Sequence, residues 1–354
     1  MSKIRIGVIG AGGIAAKLHF PELADLQDRC EVALISGRKE SRLRLLCDKF
    51  PIGGYTHSYE DVIGGDNIDA VLIATPHPQH VAWGIKALEA GKHVMMQKPL
   101  CGDMAEADAF VAAVEKSDRT VLCLPHFPPP IYALRDAIRD GAIGKVSGAR
   151  ARTSHGGPEV YYVEVRDIFG ETDDDLWFFD RQRASVGALF DMGVYAVAHL
   201  VAVLGTVKRV TAVVTTLDKP TELEDTATLI LQMASGAVAT AETSWCDPAR
   251  TWEMSVHGTR GKFIVPGQSG AAATLFTPLA YDSDHAPIQS TPVEAGAGVG
   301  NVHQHFLDCI ARGIHPPVSH AHAARHVTEV LLAGLEAGRT GCVVEIQSSA
   351  EPSQ

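Results

Sequence analysis

The sequence has no C-x-x-C pair and no apolar run long enough to cross a membrane. Its seven cysteines are scattered and odd in number, which is typical of reduced thiols and not of a disulfide framework or a zinc knuckle. The longest mostly apolar stretch, Gly193 to Gly205, is too short for a bilayer, and no leader pattern precedes the first strand-like run. We therefore expect a cytoplasmic protein with no membrane partner.

Positive charge is also scarce, because 31 Lys and Arg residues face 42 Asp and Glu residues and give a net charge of -11. A protein that binds nucleic acid needs a basic face, so this balance argues against a nucleic-acid partner. It does not exclude a basic pocket for one small anion. At roughly 150 residues per domain, the 354 residues predict a little over two domains.

Strand-like and helix-like patterns alternate through the first 125 residues. The apolar runs are Ile4–Ile9, Val32–Ser36, Ala70–Ala74, His93–Met96 and Val121–Leu124. The helical patterns between them are Ala15–Leu26, Ser41–Phe50, Gln79–Ala90 and Asp103–Lys116. This order predicts a parallel sheet with right-handed crossovers.

The pattern changes after Pro128-Pro129-Pro130, which we take as the domain boundary. Longer β-rich segments separated by short turns follow, and they predict an antiparallel or mixed sheet with helices on one side. Residues 267–300 are rich in Gly, Ala, Pro and Ser, and this composition predicts a long surface excursion.

A glycine-rich turn connects the first strand to the first helix. Its sequence is Gly10-Ala11-Gly12-Gly13-Ile14-Ala15. Glycine allows a tight turn and a close backbone approach to a pyrophosphate, and the helix N-terminus supplies N–H groups and a positive dipole end. This position predicts dinucleotide binding by Gly10, Gly12, Gly13 and Ile14.

The end of the second strand has no carboxylate where an acid would bind the ribose 2′-hydroxyl of NAD. The residues there are Ser36-Gly37-Arg38-Lys39. A small residue leaves room, and two cations provide charge for a 2′-phosphate. The sequence therefore favours NADP(H) bound by Ser36, Arg38 and Lys39, with NAD(H) as the alternative.

Two further segments resemble the Gfo/Idh/MocA oxidoreductases. The first contains Thr75-Pro76-His77 and ends at His80, and the second leads through Ala-Gly-Lys-His-Val to Gln97-Lys98-Pro99. Matches continue in order to the His257-Gly-Thr-x-Gly261 turn. They include Gly141-x-x-Gly144-Lys-Val, Trp177 and Gly187-x-x-x-Asp191-x-Gly193-x-Tyr195. The resemblance therefore covers nearly the whole chain.

The resemblance implies an α/β fold: an N-terminal Rossmann domain, residues 1–127, and a C-terminal α+β domain, residues 128–354, with a large open, mostly antiparallel sheet. By resemblance, the catalytic residues are Lys98, Tyr195 and Asp191. The turn residues Thr75, Pro76, His77, His80 and Gln97, with Lys98 and Trp177, complete the expected cofactor site. Lys98, His126, His155, Asp191 and Tyr195 are the expected substrate-binding residues.

Three positions depart from the family pattern. Gln97 replaces the glutamate that precedes the lysine, which removes a charge beside Lys98. Tyr195 occupies a position often held by histidine in the inositol dehydrogenase branch, so the chain is more similar to the branch of glucose–fructose oxidoreductase and dihydrodiol dehydrogenase. Val186-Gly187-Ala188 replaces a glycine-richer turn.

These features predict an NADP(H)-dependent oxidoreductase that acts on CH–OH groups of a sugar, a polyol or a related cyclic compound. Proton transfer would use Tyr195 or Lys98, and Asp191 would orient substrate hydroxyls. A redox-neutral, glycosidase-type enzyme with tightly held NAD(P) and a non-catalytic NADP(H) sensor stay as alternatives. By resemblance, the C-terminal sheet would join a homodimer or homotetramer.

Six of the 16 histidines lie between His303 and His326. The pair His322 and His326 has the spacing of two ligands on one helix face. No nearby carboxylate or thiol completes a ligand set, so we predict solvated helix faces and no metal site.

Overall fold

The computed structural model describes residues 3–123, 125, 127, 129–171, 176–266, 273–281, 285–293 and 301–351. The chain forms two compact units, each assembled from three segments. The first unit comprises Met1–His126, Pro158–Ser185 and Gly300–Arg325. The second comprises Phe127–Gly157, Val186–Val299 and His326–Gln354.

The β-strands in chain order are β1 (Ile4–Ile9), β2 (Cys30–Ser36), β3 (Tyr55–Thr56), β4 (Ala70–Ile73), β5 (His93–Met96), β6 (Val121–Cys123), β7 (Val146–Ser154), β8 (Val207–Thr215), β9 (Thr226–Met233), β10 (Val238–Ser244), β11 (Thr251–Gly258), β12 (Gly261–Val265), β13 (Ala273–Pro278), β14 (Ile288–Val293) and β15 (Val344–Glu345).

The α-helices are α1 (Phe20–Ala24), α2 (Glu40–Lys49), α3 (Tyr59–Gly64), α4 (His80–Glu89), α5 (Met104–Glu115), α6 (Pro129–Arg139), α7 (Pro158–Phe169), α8 (Arg181–Ala184), α9 (Val194–Leu204), α10 (Val302–Arg312) and α11 (Ala321–Thr340). Two π-helical turns, Ala15–His19 and Leu189–Gly193, run directly into α1 and α9.

The first unit contains a parallel sheet whose described strands have the order β3-β2-β1-β4-β5-β6. This is the Rossmann order, so the predicted N-terminal fold is confirmed. All four residues of β4 are buried, as expected for a strand that is covered on both faces. One apolar cluster includes Phe20, Leu43 and Phe306, and a second includes Val62, Leu88 and Phe110.

The second unit contains a mixed sheet with the described order β14-β13-β12-β11-β7-β10-β9-β8-β15. Every pairing in it is antiparallel except the parallel pair of β7 and β10. Residues alternate between buried and exposed along β9, so one face of that strand is buried and the other is open. The expected α+β fold with a large, mostly antiparallel sheet is confirmed.

One expectation about local structure was wrong. Residues 267–300 do not form only an excursion, because β13 and β14 extend the sheet within this range. The Gly, Ala and Pro content hid these strands, since β14 is an edge strand with five of its six residues exposed and needs few apolar side chains. The first helix begins with a π-helical turn and ends at Ala24, two residues before the predicted end.

The C-terminal part of the chain returns to the first unit and covers its edge strand. The N–H of Cys123 donates to Ser319 O at 2.7 Å, and the N–H of Val121 donates to His315 Nδ1 at 3.2 Å. These bonds occupy donors that an open edge would expose. The units therefore use discontinuous segments, whereas the sequence suggested two continuous domains.

The prediction of solvated C-terminal histidines was wrong for most of them. His303, His305, His320 and His326 are buried. His326 Nε2 accepts a hydrogen bond from the Val207 N–H at 3.0 Å, and its Nδ1 lies 2.7 Å from Ser348 Oγ. Helical spacing alone does not reveal which face is covered. Within the described ranges, no group of three metal-ligating side chains is present.

The helical stretch Arg181–Leu204 has a mean hydropathy of 1.8 over its most apolar part, a value that would suit a membrane span. However, 83% of that part is buried inside the protein. The stretch therefore packs as a core helix.

Acidification tests the burial of His320. Burial, and to a smaller extent His322 and His315, lowers the pKa of His320 from 6.5 to about 4. Its Nδ1 accepts the Ala323 N–H at the start of α11. Below pH 6.5 the unfolded chain therefore binds a proton at His320 that the folded chain does not bind. The contribution of the neutral His320 to the free energy of unfolding is fully present above pH 6.5 and is lost as the pH falls toward 4. The loss is on the order of 3 kcal/mol.

The substitution His320→Asn keeps a helix-capping acceptor and removes the titration. We expect its urea midpoint to fall less than that of the wild type between pH 7 and pH 4.5. His257→Asn, at an exposed position of β11, is the matched control and keeps the wild-type pH dependence. Parallel curves for wild type and His320→Asn would contradict the assignment.

Candidate active site

The turn after β1 is fixed by the ends of two neighbouring strands. The N–H groups of Gly10 and Ala11 both donate to Ser36 O, at 3.0 and 2.8 Å. Gly10 has a φ of +83°, and a Cβ on it would lie 2.5 Å from the Thr75 N atom at the end of β4. Glycine is required at residue 10, because both the backbone conformation and the space exclude a side chain.

The next two glycines of this turn have different surroundings. A Cβ on Gly12 would meet only Gly10 O, at 3.8 Å, so this position faces open space. A Cβ on Gly13 would lie 2.4 Å from Val165 Cγ2 and 2.8 Å from Tyr161 Oη, both on α7. Gly12 therefore leaves room for a ligand, whereas Gly13 leaves room for a helix. The sequence pattern did not separate these two roles.

Two of the three expected cofactor residues at the end of β2 have partners within the protein. Ser36 is fully buried and its Oγ lies 3.4 Å from Val8 O, so its side chain faces the sheet and only its carbonyl serves the turn. Lys39 Nζ lies 2.9 Å from Glu171 Oε2, and Arg42 Nε donates to Glu171 Oε1 at 2.6 Å. These cations lower the pKa of Glu171 to about 2, with Arg42 as the larger cause. Arg38 is exposed.

The turn after β4 gathers several expected cofactor residues of the first unit. The ring centroids of His77 and Trp177 are 5.5 Å apart, and His77 Nε2 lies 2.5 Å from Ala184 O. Thr75 Oγ1 is buried and has no hydrogen-bond partner within the described residues. A buried hydroxyl of this kind needs a partner. Pro76 directly precedes the 3₁₀ turn His77–Gln79.

His80 connects the two loops of this sheet edge. Its Nδ1 lies 2.8 Å from Pro99 O, and its Nε2 lies 2.8 Å from Thr75 O. Burial lowers the pKa of His80 to about 4, although both carbonyl contacts raise it. The His80 ring therefore connects the Thr75 turn to the turn that follows Lys98 and stabilises both.

Lys98 follows β5 and belongs to the first unit. Its N–H donates to Gln97 Oε1 at 3.1 Å, and Gln97 Nε2 lies 2.8 Å from His19 Nε2. Gln97 is buried, so its amide serves the protein interior. Gln97, an expected cofactor residue, therefore has both ends of its side-chain amide bonded within the protein, to His19 and to the Lys98 backbone.

In the second unit, one carboxylate receives two donors. Asp191 Oδ2 accepts the Trp245 Nε1–H at 2.9 Å and lies 3.3 Å from His155 Nε2. The Gly157 N–H donates to His155 Nδ1 at 2.8 Å, so the proton of a neutral His155 ring is on Nε2 and points to Asp191. The structure thus brings His155 and Asp191 together. Trp245, which sequence reasoning missed, holds the same oxygen.

Asp191 and Tyr195 share the open face of their helix. Asp191 lies in the π-helical turn and Tyr195 in the first turn of α9, and these two are the partly exposed side chains among otherwise buried residues from Ala188 to Val201. The Tyr195 ring centroid is 4.8 Å from that of Trp252. The predicted common face is confirmed.

A buried carboxylate from another segment caps the N-terminus of this helix. Glu224 Oε1 accepts the N–H groups of Gly187 and Leu189 at 3.0 and 3.1 Å, where the helix dipole favours negative charge. Burial raises the pKa of Glu224 despite these donors. A Cβ on Gly187 would lie 2.3 Å from Glu224 O, so this glycine belongs to the cap. His126, the remaining expected substrate residue, lies outside the described residues.

Two family profiles match the chain. Residues 4–124 match the NAD-binding Rossmann domain of the oxidoreductase family, and residues 131–264 match the GFO/IDH/MocA C-terminal domain. The chain belongs to the Gfo/Idh/MocA oxidoreductase family. It is therefore an NAD(P)-dependent oxidoreductase with a small-molecule substrate.

Several members of the Gfo/Idh/MocA family are similar over most of their length. Human trans-1,2-dihydrobenzene-1,2-diol dehydrogenase is 27% identical over 88% of this chain and 89% of its own. D-xylose 1-dehydrogenase (NADP(+)) 2 of Haloferax volcanii is 26% identical over 96% and 99%. A levoglucosan dehydrogenase structure, a complex with NADH and L-sorbose, shares the fold with a TM-score of 0.82, 19% identity and coverage of 98% and 99%.

The first unit fits the family's nicotinamide cofactor. Gly10 supplies the tight turn, Gly12 faces open space, and the buried Thr75 hydroxyl needs a hydrogen-bond partner. Ile14 immediately precedes the helical turn Ala15–His19, as the fingerprint requires. That Lys98, Asp191 and Tyr195 act on one substrate stays a prediction.

A pair of alanine substitutions separates the two glycines. In Gly12→Ala the new methyl enters open space, so we expect unchanged thermal stability and about tenfold weaker NADPH binding, because the pyrophosphate needs the close approach. In Gly13→Ala the methyl overlaps Val165, and we expect a loss of about 1–3 kcal/mol of stability. Thermal unfolding and fluorescence titration with NADPH measure both. A destabilised Gly12→Ala with normal binding would contradict the assignment.

Proposed function

We propose that this enzyme is an NADP(H)-dependent dehydrogenase or reductase of a sugar, a polyol or a related cyclic hydroxyl compound. The observation that carries the proposal is the Asp191 carboxylate, which Trp245 and His155 hold on the same helix face as Tyr195. A fixed carboxylate suits substrate hydroxyls, which donate hydrogen bonds to it. The Tyr195 phenol, four residues further along the same helix, is a proton donor and acceptor.

The proposed roles follow from the chemistry of each group. The nicotinamide cofactor, when bound, supplies hydride transfer. Oxidation of an alcohol also releases a proton, and the reverse reaction needs an acid at the carbonyl oxygen. Either Tyr195 or Lys98 is the proposed proton-transfer residue, and Asp191 is proposed to orient a neighbouring hydroxyl. His155 directs its Nε2–H to Asp191 and so fixes the orientation of the carboxylate.

Names of related proteins support this substrate class. Those described above are a dihydrodiol dehydrogenase, a D-xylose dehydrogenase and a levoglucosan dehydrogenase. The compound in each of these three enzyme names has adjacent hydroxyl groups. We therefore propose a vicinal hydroxyl compound as the substrate and leave the ring type to a screen of polyols, aldoses, keto-sugars and dihydrodiols.

The preference for NADP(H) rests on Arg38 more than on Lys39. Glu171 pairs with Lys39 and with Arg42, and therefore offsets part of their positive charge. Arg38 is exposed, and no carboxylate in the described part of the chain lies within ion-pair distance of it. An arginine can hold a 2′-phosphate through two parallel hydrogen bonds. Arg38 is therefore the proposed 2′-phosphate ligand.

Cofactor titrations test this proposal without a substrate. We expect wild type to bind NADPH more tightly than NADH, and Arg38→Ala to weaken NADPH binding about tenfold while NADH binding stays unchanged. Glu171→Gln removes a negative charge near the phosphate position and should favour NADPH by about tenfold. Glu164→Gln, which removes the ion pair between α7 and Lys17, is the matched control. Equal affinity for both cofactors in wild type would refute the preference.

Turnover tests the catalytic roles. Absorbance at 340 nm is followed with the substrate that emerges from the screen. Lys98→Met and Tyr195→Phe each remove a proton-transfer group, and we expect kcat to fall by about 10²-fold or more. Asp191→Asn keeps an acceptor for Trp245 and loses the charge, so its fold should be retained and its KM should rise. Unchanged turnover in both Lys98→Met and Tyr195→Phe would refute the mechanism.

We also propose that a second copy of the chain covers the open face of the large sheet. The register of β8 to β12 places Val213, Ile230, Val238 and Ile264 on this face. All four are exposed, at 36–73% of their surface. Exposed apolar side chains on one face are typical of a protein interface. Arg150, which bridges Glu242 and Glu253 on this face, would add directional polar contacts.

A further inference from the structure

A continuous chain of hydrogen bonds leads from the residue beside Lys98 to the surface of the first unit. Gln97 Nε2 lies 2.8 Å from His19 Nε2, and His19 Nδ1 lies 2.9 Å from His303 Nε2. His303 Nδ1 lies 2.8 Å from Glu22 Oε2. The four side chains, in order, come from the end of β5, the first π-helical turn, α10 and α1. The chain of hydrogen bonds therefore connects segments that are distant in sequence.

The hydrogen positions along this chain follow from one backbone group. The Lys98 N–H can only donate, so the Gln97 atom that faces it is Oε1, and the atom that faces His19 is the amide NH₂. His19 Nε2 is then an acceptor, and a neutral His19 ring carries its proton on Nδ1.

The same logic continues to the carboxylate. His19 Nδ1–H donates to His303 Nε2, which leaves the His303 proton on Nδ1, where it donates to Glu22. Every bond therefore points from the lysine turn toward Glu22. A single orientation satisfies all the groups.

Burial makes this orientation stable. His19 is fully buried and His303 is 1% exposed, whereas the Glu22 side chain is 28% exposed and reaches solvent. Burial, followed by the nearby His303, holds the pKa of His19 well below its ordinary value. Both inner contacts of His19 thus join neutral groups, and the charge is at the outer end.

We propose that Glu22, His303 and His19 are positioning residues that hold the Gln97 amide in one orientation and thereby fix the backbone of Lys98. The proposal rests on the proposed function only in that Lys98 is the reactive lysine. The chain does not conduct protons to Lys98, because a carboxamide has no proton that it readily releases. Its effect on the lysine is therefore positional.

This arrangement gives a physical reason for Gln97. A glutamate at residue 97, as in the family pattern, would accept from the Lys98 N–H but would also need a donor at His19 Nε2. Reversing the proton of His19 would leave His303 without a proton toward Glu22, so the pair of rings would have to bind one more proton. Glutamine matches the two neutral rings, and glutamate would not.

The wild-type protein provides the first test. Long-range ¹H–¹⁵N spectra at pH 7 report which ring nitrogen carries a proton, and His19→Gln and His303→Gln identify the two signals. We expect both rings to be neutral with the proton on Nδ1. An Nε2–H on either ring, or a doubly protonated ring, would overturn the proposal. In Gln97→Glu we expect one of the two rings to become doubly protonated.

Hydrogen exchange tests the effect on Lys98. Glu22→Leu removes the terminal acceptor, and we expect the Lys98 amide to exchange about fivefold faster, the size of one lost hydrogen bond. Glu22→Gln keeps an acceptor and should restore the wild-type rate. The Val94 amide of β5, which donates to Thr120 O at 3.0 Å, is the internal control. Equal acceleration of Val94 and Lys98, or no change at Lys98, would overturn the positioning role.

These measurements need no substrate, so their outcome is separate from that of the proposed function. With an active substrate, Glu22→Leu should lower kcat by about fivefold and leave the KM for NADPH unchanged, since the cofactor turn is untouched. A wild-type kcat in Glu22→Leu would refute the connection to catalysis even if the ring protons are as proposed.

Discussion

The cofactor turn of the first unit depends on the hydrogen bonds that the Ser36 carbonyl oxygen accepts. It accepts the N–H groups of both Gly10 and Ala11, and Gly10 lies against the Thr75 peptide. The ends of β1, β2 and β4 are therefore held within contact distance. The loops that follow these three strands start from fixed positions relative to one another. Such close backbone approach excludes a side chain at residue 10, which is why a glycine motif marks the site so clearly in the sequence.

Features that depend on local chain geometry could be predicted from the sequence. The apolar runs and the 3.6-residue helical pattern predicted β1, β4, β5 and α5 to within about two residues, and the Asp103 side chain accepts the Glu106 N–H at the start of α5. The spacing of Asp191 and Tyr195 was also sufficient to place them on one helix face. In each case the deciding interaction lies within a few residues along the chain.

Features that depend on a distant partner could not be predicted. Trp245 donates to Asp191 across 54 residues, and His303 contacts His19 across 284. Nothing in the sequence near His303 indicates that the first π-helical turn and α1 contact this side of α10, so the sequence suggested a solvated helix face. The same limit applies to Gly13, whose small size suits α7, a helix more than 140 residues later that no local pattern connects to the turn.

The charge at the end of β2 shows how far this limit extends into function. The local sequence has no acid there, yet Glu171 brings a carboxylate to Lys39 and Arg42 from 129 or more residues away. A cation that is already paired offers less to a phosphate, because its charge is partly neutralised and its hydrogen bonds are occupied. Under the proposed preference for NADP(H), Arg38 would therefore contribute more to a 2′-phosphate site than Lys39, although both residues follow the same strand.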